Sequence, residues 1–287
     1  KLLIIADDKG KGYATPRGLE LARKLGLDAE VVAFTYTSLR HLKVGDQEAA
    51  RVREQLLQER RKEVQARIDT HCRDGQKARL SVVWEKDIVA WVNRQCGRSS
   101  YAYVIKTGRR SESLVHTSSD WQLLRECPAP VMIVCDRKWH RAQPVLAALD
   151  LATNVRTKKQ LNHRILAHAK GLAEALGVDL HIISAIEIPT LLADLDLVDS
   201  HAYVREVRAS MAPSIRALAK AHGLAQSDFA AKRGPVEKVI ASRAADVRAQ
   251  VVVMGTVGRK GVKARLLGNT ADEVLRHLKT DVIALKP

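Results

Sequence analysis

A fourteen-residue pattern occurs twice in the chain: residues 21–34 read LARKLGLDAEVVAF, and residues 172–185 read LAEALGVDLHIISA. Their identical positions, which include a Leu-Gly pair, recur at a constant offset of 151 residues. Two segments near the ends of the halves, CPAPVMIV at 127–134 and LKTDVIAL at 278–285, align at the same offset. Such self-similarity predicts a tandem duplication of one structural unit, with the two copies at residues 1–140 and 141–287.

Each copy shows the same succession of strands and helices. A short apolar strand ending in an acid (residues 2–7 and 145–150) precedes an amphipathic helix that closes at Leu-Gly, a helix-stop signal. The strands do not alternate apolar and polar residues, as expected of strands buried on both faces of a parallel sheet. Strands alternating with helices, joined by right-handed crossovers, predict two Rossmann-like, doubly wound α/β domains.

Composition restricts the class of protein. The 287 residues carry a net charge of +16, divided as +9 over residues 1–143 and +7 over 144–287, so no basic tail emerges. Because a nucleic-acid recognition motif is also missing, we do not expect nucleic-acid binding. No apolar run reaches the roughly 18 residues that a membrane span needs. The four cysteines lack C-x-x-C spacing, which favours reduced thiols and a cytoplasmic location.

The second copy contains a glycine pattern after its fourth predicted strand. Residues 251–254 run into Gly255, Gly258 follows after two residues, and Gly268 follows after nine more. Glycine allows backbone to approach a ligand closely, and Asn269 and Thr270 open a helix whose N-terminal amides favour an anion. The pattern therefore predicts a phosphate-binding loop. The alternative is that these glycines only shape a tight connection between strand and helix.

This G-x2-G-x9-G pattern, its approach GPVEKVIASRAADVRAQVVVMGTVGR (234–259) and its exit LGNTADEVL (267–275) resemble the universal stress protein family. The duplicated form is similar to the tandem, two-domain bacterial members of that family, strongly over residues 144–287 and weakly over 1–143. The resemblance implies two domains of the adenine-nucleotide alpha-hydrolase-like type, each a five-stranded parallel sheet flanked by helices. It also implies that ATP, often with a divalent cation such as Mg²⁺, binds at the strand ends.

The resemblance implies seven nucleotide-binding positions in the second copy. Asp150, at the end of the first strand, matches the family's acid near adenine and ribose. Ala185, at the end of the second strand, would line the adenine slot through its backbone. The phosphate loop would comprise Gly255, Gly258, Gly268, Asn269 and Thr270, with Asn269 standing where the family usually has Ser or Thr.

The first copy departs from this pattern. By its similarity to residues 249–254, the stretch YAYVIK at 101–106 is the fourth strand. We expect Lys106 at the Gly255 position and Thr117 at the Gly268 position, whereas Asp7 or Asp8 keeps the strand-end acid. Because side chains would crowd the space that phosphate and backbone share, we expect no nucleotide binding there and a structural or regulatory role instead.

Catalytic residues are not predicted. The chain has no G-x-S-x-G nucleophile elbow and no complete Walker loop. A nucleotide held by amides and cations without a positioned general base hydrolyses slowly at best, so we expect a binding protein with at most weak ATPase activity.

No metal site is predicted either. Cys72 and His71 are adjacent, and adjacent residues rarely chelate one metal. His163 and His168 are five residues apart, not at the i, i+4 spacing that brings two ligands to one helix face. His116 and His181 have no partner recognisable in the sequence. The acids Asp194, Asp196 and Asp199 favour a solvated edge over a cation site.

The sequence thus favours a nucleotide-responsive stress protein in which ATP binding by the second copy changes the surface offered to protein partners. The alternative is a scaffold, or a protein that binds a lipid or metabolite, because the apolar insert at 188–204 follows the strand beside the predicted adenine slot. Single-domain relatives pair through their last strands. We therefore expect an intrachain pseudo-dimer through residues 131–134 and 282–285, and a homodimer of whole chains remains open.

Overall fold

The computed structural model describes residues 1–8, 12–39, 45–73, 75–108, 118–135, 138–139, 143–189, 199–256 and 269–287. The chain divides into two compact units, Lys1–Lys138 (unit 1) and Trp139–Pro287 (unit 2). Among the described residues, no helix combines the length and the apolar character that crossing a membrane would require.

Unit 1 alternates strands and helices along the chain. The strands are β1 (Leu2–Ile5), β2 (Ala29–Thr35), β3 (Ala78–Trp84), β4 (Tyr103–Thr107) and β5 (Val131–Val134), and the helices are α1 (Ala14–Leu25), α2 (Asp46–His71), α3 (Ile88–Arg98) and α4 (Ser118–Glu126).

Unit 2 repeats this succession. Its strands are β6 (Val145–Ala148), β7 (Leu180–Ile186), β8 (Phe229–Arg233), β9 (Val251–Gly255) and β10 (Asp281–Leu285), and its helices are α5 (Arg156–Leu176), α6 (Ser200–His222), α7 (Val236–Asp246) and α8 (Asn269–His277).

Both units form parallel sheets of the same topology. The strand order is β3-β2-β1-β4-β5 in unit 1 and β10-β9-β6-β7-β8 in unit 2. The first strand of each unit is central, with its second and third strands on one side and its fourth and fifth on the other. This arrangement confirms the doubly wound α/β fold, in which ligands bind beyond the carboxyl ends of the strands where the direction of winding changes.

The central strands are buried on both faces, as their continuous apolar runs predict. Every residue of β1 and β6, the central strands of the two units, is buried, and so is every residue of β5 and β10. The edge strand β3 differs, since exposed and half-buried residues alternate along its first half. β3 pairs with β2 on one side only, which leaves part of this strand open to solvent.

The predicted glycine stops end α1 and α5. Gly26 and Gly177 adopt left-handed conformations with φ of 65° and 68°, and each donates its amide to carbonyls of the preceding turn. The helices differ in length, because α1 has 12 residues and α5 has 21. The longer α5 explains why β1 and β6 do not follow the 151-residue offset of the elements beyond the glycines.

Candidate functional site

The winding direction of unit 2 changes between β6 and β9, and three predicted site residues lie at the carboxyl ends of its strands. Ala148 pairs in register with Ile183 and with Met254. Asp150 and Ala185 therefore each lie two residues further toward the carboxyl edge, and Gly255 lies one residue further. The fold thus brings together positions that are widely separated in the chain.

Asp150 is held by its backbone and leaves its carboxylate accessible. Its amide donates to Asn162 Oδ1 over 3.1 Å, and its carbonyl accepts from Asn162 Nδ2 over 2.7 Å. The side chain is 49% exposed and forms an ion pair with Lys158 Nζ at 3.0 Å. A surface pair of this kind is weak, so the carboxylate can still accept hydrogen bonds from another group.

Gly255 is in close contact with helix α5. A Cβ at this position would lie 2.6 Å from Leu161 Cδ2 and 3.2 Å from Ile165 Cδ1. The packing of α5 against the end of β9 therefore leaves little room for a side chain here. This contact favours the structural interpretation of Gly255, and any role in binding phosphate would be additional.

The remaining predicted loop positions are only partly described. Gly258 and Gly268 lie outside the described residues. Asn269 and Thr270 are the first two residues of α8, and their side chains are not described. The apolar insert is likewise outside the described residues over positions 190–198.

In unit 1 the equivalent of Gly255 is Thr107, which corrects the expectation of Lys106. Leu2 pairs with Tyr103 as Val145 pairs with Val251. Counting along both strands therefore aligns Lys106 with Met254 and Thr107 with Gly255. The alignment of residues 101–106 with 249–254 implies the same correspondence, so the expected position was wrong by one residue.

The hydroxyl of Thr107 joins the strand-end acid to the start of α1. Its oxygen accepts from the amides of Tyr13 at 3.1 Å and Ala14 at 2.8 Å, and its hydrogen is donated to Asp7 Oδ1. The carboxylate of Asp7 also accepts from the amides of Ala14 and Thr15, each at 3.2 Å. Its side chain is fully buried, unlike that of Asp150. At the carboxyl ends of β1 and β4, where a doubly wound sheet can bind a ligand, the polar groups of unit 1 therefore form hydrogen bonds with one another.

Two arginines of α2 complete this cluster. Arg67 Nη2 lies 3.4 Å from Asp7 Oδ2 and donates to the carbonyl of Gly12. Arg60 Nη2 donates to the carbonyl of Asp7 over 2.7 Å and lies 3.8 Å from the exposed carboxylate of Asp8. The strand-end acid that is engaged is thus Asp7, and its charge is balanced by Arg67 and by the N-terminal end of α1.

Lys106 has a structural role that its position did not predict. Its ammonium group forms an ion pair with the carboxylate of Asp120 in α4, whose side chain is fully buried. This ion pair links β4 to α4. Removing either member would leave an uncompensated buried charge. Thr117, the other residue expected to crowd the site, lies outside the described residues.

The described residues show no metal site of three or more side chains. Within the described part of the chain, no three His, Cys, Asp or Glu side chains are grouped so that they could hold a metal ion. Asp199 instead caps α6 by accepting the amide of His201 over 2.8 Å, and this backbone hydrogen bond is the main cause that lowers the pKa of Asp199. Asp194 and Asp196 lie outside the described residues.

The other histidine and cysteine candidates have separate surroundings. His71 is the last residue of α2 and Cys72 follows it, and burial raises the pKa of the Cys72 thiol. His181 Nδ1 lies 3.4 Å from Arg243 Nη2. His116 lies outside the described residues.

Two buried polar residues near the site were not singled out from the sequence. Asn162 is placed among the apolar positions of α5 and holds Asp150 from both sides. Ser184 is 2% exposed, and its hydroxyl accepts the amide of Leu151 over 3.3 Å. Both could have been recognised in the sequence as polar residues within an otherwise apolar helix face or strand. Such residues are informative because buried polar groups require hydrogen-bond partners.

Comparison with known proteins agrees with this architecture. Residues 144–286 match the model of the universal stress protein family, and the chain belongs to that family. Over its whole length it is similar to proteins named universal stress protein E. It is 26% identical to the homolog from Haemophilus influenzae, with 100% of this chain and 96% of that protein covered. It is also 26% identical to the Escherichia coli K12 protein, of which 93% is covered.

Solved structures show the same fold over both units. A candidate universal stress protein from Pseudomonas aeruginosa UCBPP-PA14 is 25% identical, with a TM-score of 0.72 and coverage of 100% of this chain and 92% of that one. A universal stress protein from Archaeoglobus fulgidus is 20% identical, with a TM-score of 0.68 and coverage of 99% and 97%. The second similarity establishes fold alone.

Proposed function

We propose that this chain is a nucleotide-responsive stress protein whose unit 2 binds ATP at the carboxyl ends of β6, β7 and β9. Support comes from the glycine pattern after β9 and from its position in a doubly wound sheet, where ligands bind at the change of winding direction. In this proposal the amides around Gly258, Gly268 and the start of α8 bind phosphate oxygens. A bound Mg²⁺ would be held through phosphate oxygens and water.

The observation that carries the proposal is the contrast between the two strand-end acids. The carboxylate of Asp150 is 49% exposed beside the strand ends, where it can accept hydrogen bonds from ribose hydroxyls. Asp7, its counterpart, is fully buried and engaged by α1 amides, Thr107 and Arg67. The Asp150 carboxylate of unit 2 can therefore accept hydrogen bonds from a ligand, whereas the Asp7 carboxylate of unit 1 is already occupied by protein groups.

Unit 1 has a structural or regulatory role in this proposal. A ligand entering at its change of winding direction would have to displace hydrogen bonds between Thr107, Asp7 and α1. Because a buried group that loses its partner costs about 1–3 kcal/mol, several such losses disfavour binding. We therefore expect one nucleotide for each chain.

Calorimetric titration of the full chain with ATP and with ADP, in the presence of Mg²⁺, tests the proposal. The informative variant is Asp150→Ala, because the side chain is exposed and its removal breaks only a surface ion pair. We expect it to weaken ATP binding about tenfold or more, as the loss of a hydrogen bond to a charged group implies. The matched control is Asp179→Ala, which removes an exposed acid just before β7 at the opposite edge of the sheet.

Absence of ATP and ADP binding by the wild-type chain would overturn the proposal. Equal affinity in the wild type and Asp150→Ala would remove Asp150 from the site. Native mass spectrometry of the freshly purified chain separates this proposal from the alternative ligand class. A co-purifying mass equal to that of a lipid, in place of an adenine nucleotide, would contradict nucleotide binding.

A further inference from the structure

Two histidines of unit 2 meet on adjacent helices, although 59 residues separate them in the chain. Nδ1 of His163 in α5 lies 3.2 Å from Nε2 of His222 at the end of α6. The ring centroids are 5.4 Å apart and the ring planes are inclined by 33°. His163 is exposed and His222 is half-buried, so solvent reaches the pair.

We propose that His163 and His222 bind one transition-metal dication of the Zn²⁺ type. In a tetrahedral zinc site two nitrogen ligands, each about 2.05 Å from the metal, are separated by roughly 3.3 Å. The observed separation of 3.2 Å is close to this value. The two nitrogens face each other within hydrogen-bonding distance, and binding a metal would require the rings to turn so that both lone pairs meet at one point beside the line that joins them.

Of the groups around the two histidines, the end of α6 favours a cation and Lys170 opposes one. His222 is the last residue of α6, and the carbonyl end of a helix attracts positive charge. Lys170 lies near His222 and opposes a second cation, but its ammonium group forms an ion pair with Glu174. The described residues offer no third protein ligand, so water fills the remaining positions.

Metal binding would join α5 to α6 within unit 2. The stabilisation follows mass action, because the metal binds the folded arrangement and not separated histidines. The site is independent of the proposed nucleotide function, since neither histidine is among the predicted nucleotide-binding residues.

Titration of the full, reduced chain with Zn²⁺ tests the inference by calorimetry and by thermal unfolding. We expect the variant His163→Gln/His222→Gln to lose one Zn²⁺ per chain and the Zn²⁺-dependent rise in Tm. Each single Gln variant should weaken that binding at least about tenfold, the scale on which even indirect metal contacts act. His201→Gln, which changes an exposed histidine at the other end of α6, should bind as the wild type does.

Titration with Co²⁺ identifies the ligand type, because binding through histidine lacks the charge-transfer absorption that cysteine thiolates produce. The same Zn²⁺ stoichiometry and affinity in the double variant and in the wild type would overturn the inference. Circular dichroism of each variant establishes that the fold is retained.

Discussion

The hydroxyl oxygen of Thr107 accepts a hydrogen bond from the backbone amide of Ala14 over 2.8 Å, which links the end of β4 to the first turn of α1. The same hydroxyl is bonded to Asp7, beyond the end of β1. In unit 2 the equivalent strand ends in Gly255, which cannot make such bonds and contacts Leu161 instead. The two units thus share a fold but differ at the end of the fourth strand: Thr107 forms hydrogen bonds in unit 1, whereas Gly255 packs against a helix in unit 2.

Replacing Thr107 by Val should destabilise unit 1. Valine keeps the branched shape but leaves Asp7 and the α1 amides without the hydroxyl, and an unsatisfied buried group costs about 1–3 kcal/mol. Urea unfolding followed by circular dichroism measures the loss. Thr107→Ser retains the hydroxyl and should lose less, so equal losses in the two variants would contradict the hydrogen-bonding role.

Asp7→Asn should also destabilise unit 1, by about 1.5–3 kcal/mol, because it removes the negative charge that accepts hydrogen bonds from the α1 amides and faces Arg67. Asp8→Asn is the matched control. Asp8 is the next residue in the chain and its side chain is 61% exposed, so its loss should change stability by no more than about 0.5 kcal/mol. Equal unfolding midpoints for the two variants would show that the buried carboxylate carries no special stabilisation.

Much of the fold is predictable from local signals. The duplicated Leu-Gly stops end α1 and α5, and the continuous apolar runs form buried central strands. These features depend on residues that are close together in the chain. A helix that ends at glycine and a strand that is buried on both faces can each be recognised in a short stretch of sequence. The change of winding direction then indicates which edge of each sheet carries a site.

The site itself depends on contacts between residues that are far apart in the chain, and no short stretch of sequence indicates them. The hydrogen bonds that Thr107 makes with Asp7 and with the first amides of α1 join residues that are about a hundred positions apart in the chain. The pairing of His163 with His222 follows from the packing of two helices. The contact between Gly255 and Leu161 joins the end of β9 to a helix that lies much earlier in the chain.

Gly255→Ala tests whether packing alone requires glycine at the end of β9. The new methyl group would overlap Leu161 and lie tightly against Ile165, and overpacking of this kind costs about 1–3 kcal/mol. In a double-mutant cycle with Leu161→Ala we expect a favourable coupling of about 0.5 kcal/mol or more, because the smaller side chain makes room. Gly171→Ala in α5 is the control: its Cβ would meet nothing within 4 Å, and alanine favours a helix by up to about 1 kcal/mol. Additive losses in the cycle would exclude the proposed steric contact.

Acid should destabilise the fold through His168, which lies half-buried in α5. Burial, with a smaller contribution from the charge of Arg164, lowers the pKa of His168 below its ordinary value. The unfolded chain therefore takes up a proton at a pH where the folded chain keeps this imidazole neutral. The free energy of unfolding must then fall as the pH drops through the ordinary histidine pKa of about 6.5 toward the lower folded value.

Urea unfolding at a series of pH values between about 7.5 and 5.5 measures this dependence. His168→Gln cannot take up the proton, so its free energy of unfolding should vary less steeply with pH than that of the wild type. A residual slope is expected from His71, whose pKa is also lowered by burial and by neighbouring arginines. His201→Gln, at an exposed position, should follow the wild-type curve. A His168→Gln curve parallel to the wild type would mean that protonation of His168 does not oppose folding.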